Sequence, residues 1–310
     1  MLRWAGVIMV LAVAQAALAD DVIEPYVVVR HEKLQQPVVA GQYLAYYAGR
    51  EGRFIYDLAA RKQVEHMRQW RTVPHGINER YVMGTSGDGI MLLYDLRRQQ
   101  TMRRNMRKVG DVAAISLGGG WFAAVTERHD RDTHEKYHVL RAYEMGGRAR
   151  SRYLSRYMED QRFVAAERHV TWFEPRVGAA GIYLFKYGDE KEERVVEVKA
   201  ATSIDTDGQR IVWITDQRVK MYDIATKETT DPLEAETDET ARMVRLAGDW
   251  VVWADADWQL HARHISQDRA LDLTNVDQHA GLNELADASE GFVVWANKDV
   301  LWAYPLPESK

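Results

Sequence analysis

The sequence contains no cysteine. That excludes a disulfide framework, a thiolate nucleophile, and the cysteine that lipid attachment behind an export signal requires, so stability has to come from core burial. No window beyond the N-terminal segment is apolar enough to cross a bilayer. The G-x-S-x-G elbow of serine hydrolases is missing. The glycine-rich segment Gly84-Thr-Ser-Gly-Asp-Gly89 lacks the Lys-Ser/Thr pair and the following helix of a phosphate loop; Ser86 falls in a turn.

What is present begins with a processing signal. Arg3 supplies a positive start, Ala5 to Ala14 an apolar run interrupted by Gly6 and ended by Gln15, and Ala17-Leu18-Ala19 a small-x-small site. The expectation is a signal peptide over residues 1–19, cleaved before Asp20, and an exported mature chain that is periplasmic or secreted. Residues 20–310 then read as one domain, because repeat folds grow beyond the usual domain length by packing each unit on its neighbours.

The repeat is a short phrase that recurs about every forty residues. Phe54-Ile-Tyr-Asp-Leu58, Leu92-Leu-Tyr-Asp-Leu96, Val219-Lys-Met-Tyr-Asp-Ile224 and Leu301-Trp-Ala-Tyr-Pro-Leu306 are clear copies, with degenerate ones around Tyr143, Tyr187 and Arg263. Ahead of each stands a nearly all-apolar run, as in Arg210-Ile-Val-Trp-Ile214, Trp250-Val-Val-Trp-Ala254 and Phe292-Val-Val-Trp-Ala296, introduced by Gly208, Gly248 or Gly291. Runs apolar on both faces need cover on both faces, which blades stacked against blades provide. Trp213, Trp253 and Trp295 fall at matching mid-strand places, where they fill the wedge between sheets instead of offering a ligand stripe.

A third run of small and β-branched residues precedes each glycine turn: Pro37 to Ala40, Val112 to Ile115, Phe163 to Ala166 and Met243 to Leu246. It reads as the innermost strand, where room is least. Polar runs such as Lys62 to His66 and Arg194 to Val198 read as outer strands. The last unit has no outer strand, and Glu24 to Arg30 is a strand without a unit. Pairing the two gives an all-β, seven-bladed β-propeller closed by its N-terminal strand in the C-terminal blade, with no exposed sheet edge left at the seam.

Asp207-Gly-Gln-Arg-Ile-Val-Trp213 followed by Val219-Lys-Met-Tyr-Asp223 resembles the unit of secreted bacterial propellers of the TolB-like and WD40-like type, and the resemblance spans about residues 34 to 310. It implies an exported, Gram-negative, interaction-prone propeller. The Pro-Asp-Gly turn usual in that family and the aspartate-histidine-tryptophan signature of eukaryotic repeats are both absent, so no ligand site carries across. TolB itself has an α/β domain ahead of its propeller, for which the short stretch before the first unit leaves no room.

Charge is unevenly spread. Arg and Lys outnumber Asp and Glu by about 19 to 10 between residues 61 and 156 and are outnumbered by about 13 to 26 from 189 to 310. In a closed ring these become opposite sides of a disc. Within the basic part, Arg97, Arg98, Arg103, Arg104, Arg107, Arg148, Arg150 and Arg152 form a candidate flank for phosphate- or carboxylate-bearing envelope polymers, or a solvated edge kept from strand pairing by its charge. The insertion Glu127 to His138 offers His129, His134 and His138 as candidate metal ligands. Its His134-Glu-Lys-Tyr-His138 matches the H-E-x-x-H pattern, yet in an extended strand the two histidines stand roughly 13 Å apart and share no ion.

These readings together lead to a non-catalytic binding or scaffold propeller, needing no cofactor, that docks to another envelope protein or an anionic envelope polymer and not to nucleic acid. The rival expectation is a propeller enzyme acting on an envelope or extracellular polysaccharide, possible metal assistance included.

Overall fold

A strand that is apolar on both faces is stable only between two other layers, and the chain meets that demand by placing each repeat as a sheet between two sheets. The computed structural model describes residues 24–31, 34–67, 74–85, 90–105, 111–130, 132–133, 135–145, 151–156, 158, 162–233, 240–274, 286–297 and 299–308. The expected signal peptide lies outside them.

After β1 (Tyr26–Arg30) comes the first blade, β2 (Leu34–Ala40), β3 (Tyr43–Ala48), β4 (Gly52–Asp57) and β5 (Lys62–His66). The second holds β6 (Pro74–Ile77), β7 (Tyr81–Thr85), β8 (Ile90–Asp95) and β9 (Gln100–Asn105). The third holds β10 (Asp111–Gly118), β11 (Trp121–His129), β12 (Lys136–Glu144) and β13 (Ser151–Ser155). The fourth comprises β14 (Phe163–Ala165), β15 (His169–Glu174), β16 (Gly181–Lys186) and β17 (Glu193–Glu197). The fifth comprises β18 (Ile204–Thr206), β19 (Arg210–Thr215), β20 (Arg218–Asp223) and β21 (Thr229–Thr230). The sixth comprises β22 (Met243–Ala247), β23 (Trp250–Ala254), β24 (Leu260–His264) and β25 (Ala270–Asp272). The seventh contributes β26 (Ala286–Ser289), β27 (Phe292–Asn297) and β28 (Val300–Pro305).

Among the described residues these strands form seven four-stranded sheets, six in simple chain order and the last ordered β1-β28-β27-β26. The chain is therefore an all-β, seven-bladed propeller, and its N-terminal strand completes the C-terminal blade as the unpaired runs at the two ends required. Tyr26 faces Ala303 and Arg30 faces Val300 across this antiparallel seam. The Tyr26 hydroxyl also donates to the Leu58 carbonyl of the first blade at 2.8 Å, and the Arg61 guanidinium stacks 4.3 Å over the Tyr26 ring.

The apolar second strands lie between blades, with β15 and β23 buried along their whole length. Trp172, Trp213, Trp253 and Trp295 occupy equivalent positions and are at most 2% exposed. Each belongs to a cluster that joins two neighbouring blades; Phe173 and Ile182, for example, meet Ile204, Ile211 and Trp213 across the fourth junction. Burying each such side chain stabilises the ring by about 1.5–3 kcal/mol, so the junctions hold the fold together.

The aspartate of the repeated phrase closes a turn. Asp95 Oδ1 accepts the amides of Arg97 and Arg98, both at 3.0 Å, and Asp223 Oδ1 accepts those of Ala225 and Thr226 at 2.9 and 2.8 Å. These are side-chain mimics of a backbone turn. In the sixth blade His264 takes the same place, its Nδ1 accepting the amides of Ser266 and Gln267 at 3.3 and 3.2 Å. This buried histidine is a turn acceptor.

Where β10 ends, the third and fourth blades touch backbone to backbone. A Cβ added at Gly118 would stand 1.8 Å from the Ala166 carbonyl oxygen, and neither partner is a side chain able to turn aside. Gly118→Ala is expected to cost about 1–3 kcal/mol or more by forcing the two blades apart. Thermal unfolding followed by circular dichroism checks this; an unchanged midpoint would contradict the close approach.

Candidate functional site in the central channel

The first strand of every blade faces the axis, and together with the turns that follow them these strands line a cavity of about 1450 Å³. Strand pairing identifies one register position per blade. Val38, Gly76, Ser116, Val164, Asp205, Arg245 and Asp287 stand opposite Ala45, Met83, Ala123, Thr171, Val212, Val252 and Val294 respectively. Charge at this level is confined to the three consecutive blades that carry Asp205, Arg245 and Asp287.

An innermost strand has one edge paired within its blade and the other turned toward the axis, where amides need acceptors. Side chains of the preceding blade supply them. Ala165 donates its amide to Ser116 Oγ at 2.9 Å, Leu246 to Asp205 Oδ2 at 2.8 Å, and Val39 to Asp287 Oδ2 at 2.9 Å. Each donor lies one residue past the register position of its own blade, so one geometry is used three times. Ser289 adds a hydroxyl bond to the Gly41 carbonyl at 3.0 Å across the ring's seam.

Arg245 sits between the two acids. Its Nε lies 3.4 Å from Asp287 Oδ1, and its Nη1 donates to the Val244 carbonyl at 2.9 Å. Burial pushes the Asp205 carboxyl up to about 7, against the smaller opposing pull of Arg245 and the Leu246 amide. Burial also raises Asp287, although a quarter of its side chain faces the channel and Arg245 is in contact with it. Elsewhere burial holds His169 down to about 4, its Nε2 resting 3.2 Å from the Thr206 hydroxyl of the next blade.

One mouth of the channel is ringed by charged turns that include Glu79, Arg80, Arg97, Glu167, Asp207, Arg210, Asp249 and Glu290. Arg210 ties two blades there, 2.7 Å from Asp207 and 3.2 Å from Asp249, with a further bond to the Gly248 carbonyl at 2.9 Å. The wall and rim can thus fix polar groups of a partner that enters or caps the channel.

The residues expected from sequence fall in several places. Arg97 and Arg98 lie in the turn after β8, exposed, with Arg97 at the channel mouth and Arg98 4.0 Å from Asp95. Arg103 on β9 and Arg152 on β13 are exposed on outer strands of adjacent blades, and Arg152 donates to the Glu190 carbonyl of the blade beyond. Blade-to-blade contacts concentrate on the inner strands, and the outer strands that carry Arg103 and Arg152 belong to the second and third blades. Arg104 is on β9 opposite Met91; its side chain, and all of Arg107, Arg148 and Arg150, lie outside the described residues.

His129 ends β11, and His138 faces Glu127 across β11 and β12. Glu127 takes Lys136 at 2.9 Å and His129 at 3.4 Å. His134 lies outside the described residues. Lys136 to His138 are extended, so that part of the H-E-x-x-H pattern is not helical. Among the described residues no group of three or more histidines and acids is placed to hold a metal ion. Asp205, Arg245 and Asp287 were missed. The signal was a lone charge at one place in three successive inner runs, Ile204-Asp-Thr206, Val244-Arg-Leu246 and Ala286-Asp-Ala288.

No protein-family model matches the chain, and no curated protein matches it in sequence. Among solved structures, 877 chains match, a breadth that belongs to the fold and selects no activity. An acylaminoacyl peptidase of Pyrococcus horikoshii superimposes with a TM-score of 0.65 at 14% identity over 90% of this chain and 53% of its own. The β-propeller domain of Cps50 (Swd1) from Myceliophteria thermophila gives 0.56 at 11% identity over 90% and 98%. The computationally designed Ika8 protein gives 0.54 at 11% over 89% and 83%. This chain spans about half the length of the peptidase. The WD40-like resemblance drawn from the repeat holds at the level of the fold.

The raised Asp205 carboxyl carries a signed consequence. A carboxyl that keeps its proton to about 7 when folded, and loses it near 3.8 when unfolded, contributes stability that is present at acid pH and lost as pH rises through that window. His169 works in the opposite sense between its folded value of about 4 and the ordinary 6.5, so the informative quantity is the difference between variant and parent. Asp205→Asn, which keeps an acceptor for Leu246, is expected to gain stability relative to the parent as pH rises from 4 to 8. Urea midpoints across that range check it; a pH-independent difference would refute the buried-carboxyl assignment.

Proposed function

We propose that the chain is an exported, non-catalytic binding propeller of the TolB-like kind, working as a docking module in the periplasm of a Gram-negative envelope. The observation that carries this reading is the distribution of charge around the ring. The basic stretch 61–156 runs from the first blade's outer strand through the third blade, and the acidic stretch 189–310 from the fourth blade's outer strand to the seventh. A closed ring sets them on opposite sides, giving the disc an electrical polarity that orients an approaching partner.

Exposed Arg97, Arg98, Arg103 and Arg152 supply the basic side, and the partner suited to them is an anionic envelope polymer or the acidic surface of an envelope protein. Asp205 and Asp287 support a binding role in another way. Each is engaged as an amide acceptor between blades, so the channel wall is rigid and its polar groups are already placed for contact at little ordering cost. Export rests on the signal pattern of residues 1–19.

Titration of the purified chain with an anionic glycan such as lipopolysaccharide core, at low and high salt, tests the reading. Salt-sensitive binding that falls at least about tenfold in the Arg97, Arg98, Arg103 and Arg152 to Glu variant is expected. Release of reducing ends from envelope glycans, lost in His134→Ala or His138→Ala, would instead support the enzyme reading.

A further inference from the structure

Away from the channel, a second cavity of about 340 Å³ opens between the third and fourth blades. The third blade contributes Tyr153 and Ser155 from β13, with Arg156 just beyond; the fourth contributes Trp172 and Glu174 from β15 and Tyr183 from β16. Glu174 is 4% exposed. Its Oε2 accepts the Ser155 hydroxyl at 2.6 Å, while Oε1 is buried without a hydrogen-bond partner among the described residues.

A glutamate is rarely buried this far unless paired, and an unmet buried acceptor costs about 1–3 kcal/mol, more when charged. The repeat does not require an acid here, since the matching positions in the first, fifth and seventh blades are Ala48, Thr215 and Asn297; the sixth blade has Asp255, whose carboxylate accepts the Asp257 and Gln259 amides of its own turn. A donor brought by a ligand removes the cost.

The surroundings specify the donor. Trp172 and Tyr183 stack at 5.6 Å and 23°, and Tyr153 stands 43% exposed at the opening. Aromatic faces beside a carboxyl group favour a cation. The mouth carries the opposite charge, with two arginines, exposed Arg156 among them, against one glutamate. Pockets that take small molecules begin near about 300 Å³, so this one holds a single molecule of amino-acid size.

We infer that the pocket between the third and fourth blades binds a small zwitterion of the amino-acid class, its ammonium group on Glu174 and its carboxylate toward Arg156. This site is independent of the docking surface proposed above, and its failure leaves that reading intact.

Isothermal titration of the full chain with each free L-amino acid tests it, followed for the tightest ligand by its amine and its acid lacking the other charge. Saturable binding with a dissociation constant below about 1 mM is expected, weakened at least about tenfold when either charge of the ligand is removed. Glu174→Gln, which retains an acceptor for Ser155, is expected to weaken the amino acid and the amine by at least about tenfold, and surface Arg156→Ala the amino acid alone. Circular dichroism melts identify any variant that fails to fold, and Arg156→Ala carries the test in that case. No saturable binding by any amino acid, equal affinity for the bare amine, or affinity unchanged in both variants overturns the inference.

Discussion

A four-stranded sheet with two apolar faces has no stable existence except between two others, and every other feature of this molecule follows from that constraint. It makes the junction, not the blade, the unit of stability. One buried cluster spans each of the seven junctions, from Val82 and Ile55 between the first two blades to Val294 and Leu44 across the seam. It also makes the ring intolerant of an end. In the blade built from β26, β27 and β28 the fourth strand is β1, so that the seam is covered by the same kind of pairing as every other sheet.

Closing the ring creates a second problem at its centre. The inner strands turn an unpaired edge to the channel, and a buried amide without an acceptor is costly. Ser116, Asp205 and Asp287 answer it with one geometry, each reaching to the strand of the next blade. The charge of the two acids is secondary to their oxygen atoms in this role, as the uncharged Ser116 demonstrates at the third junction. Arg245, between them, compensates that charge in part. The channel wall is therefore frame and surface at once, whereas exposed Arg98 and Arg103 of the second blade stand away from it. That division underlies the docking role proposed for the disc and separates it from the pocket beside Glu174.

Much of the architecture was legible in the chain because its signals are local. Apolar second strands, the tyrosine-aspartate phrase and the glycine turns repeat with the blade, and each has a reason within a few residues: Asp95 and Asp223 gather the amides of their own turns, and Gly208 holds a φ of 96° that other residues rarely adopt. Trp213, Trp253 and Trp295 sat at matching places and are buried at matching places. His264 shows where such reading stops. It replaces the aspartate of the phrase with a different chemical group performing the same task, which only the two amides at its Nδ1 reveal.

The sequence by itself determined the all-β class, the seven units, their strand order and the pairing of the two ends, since period and hydropathy are properties of neighbouring residues. Tertiary structure alone decided what the charged residues do. Asp205, Arg245 and Asp287 are separated by about forty residues each, as are the two blades that enclose Glu174, and no local pattern records which side chains the closing of a ring will bring face to face. That depends on the angle and register between sheets, which are set by the packing of the whole circle.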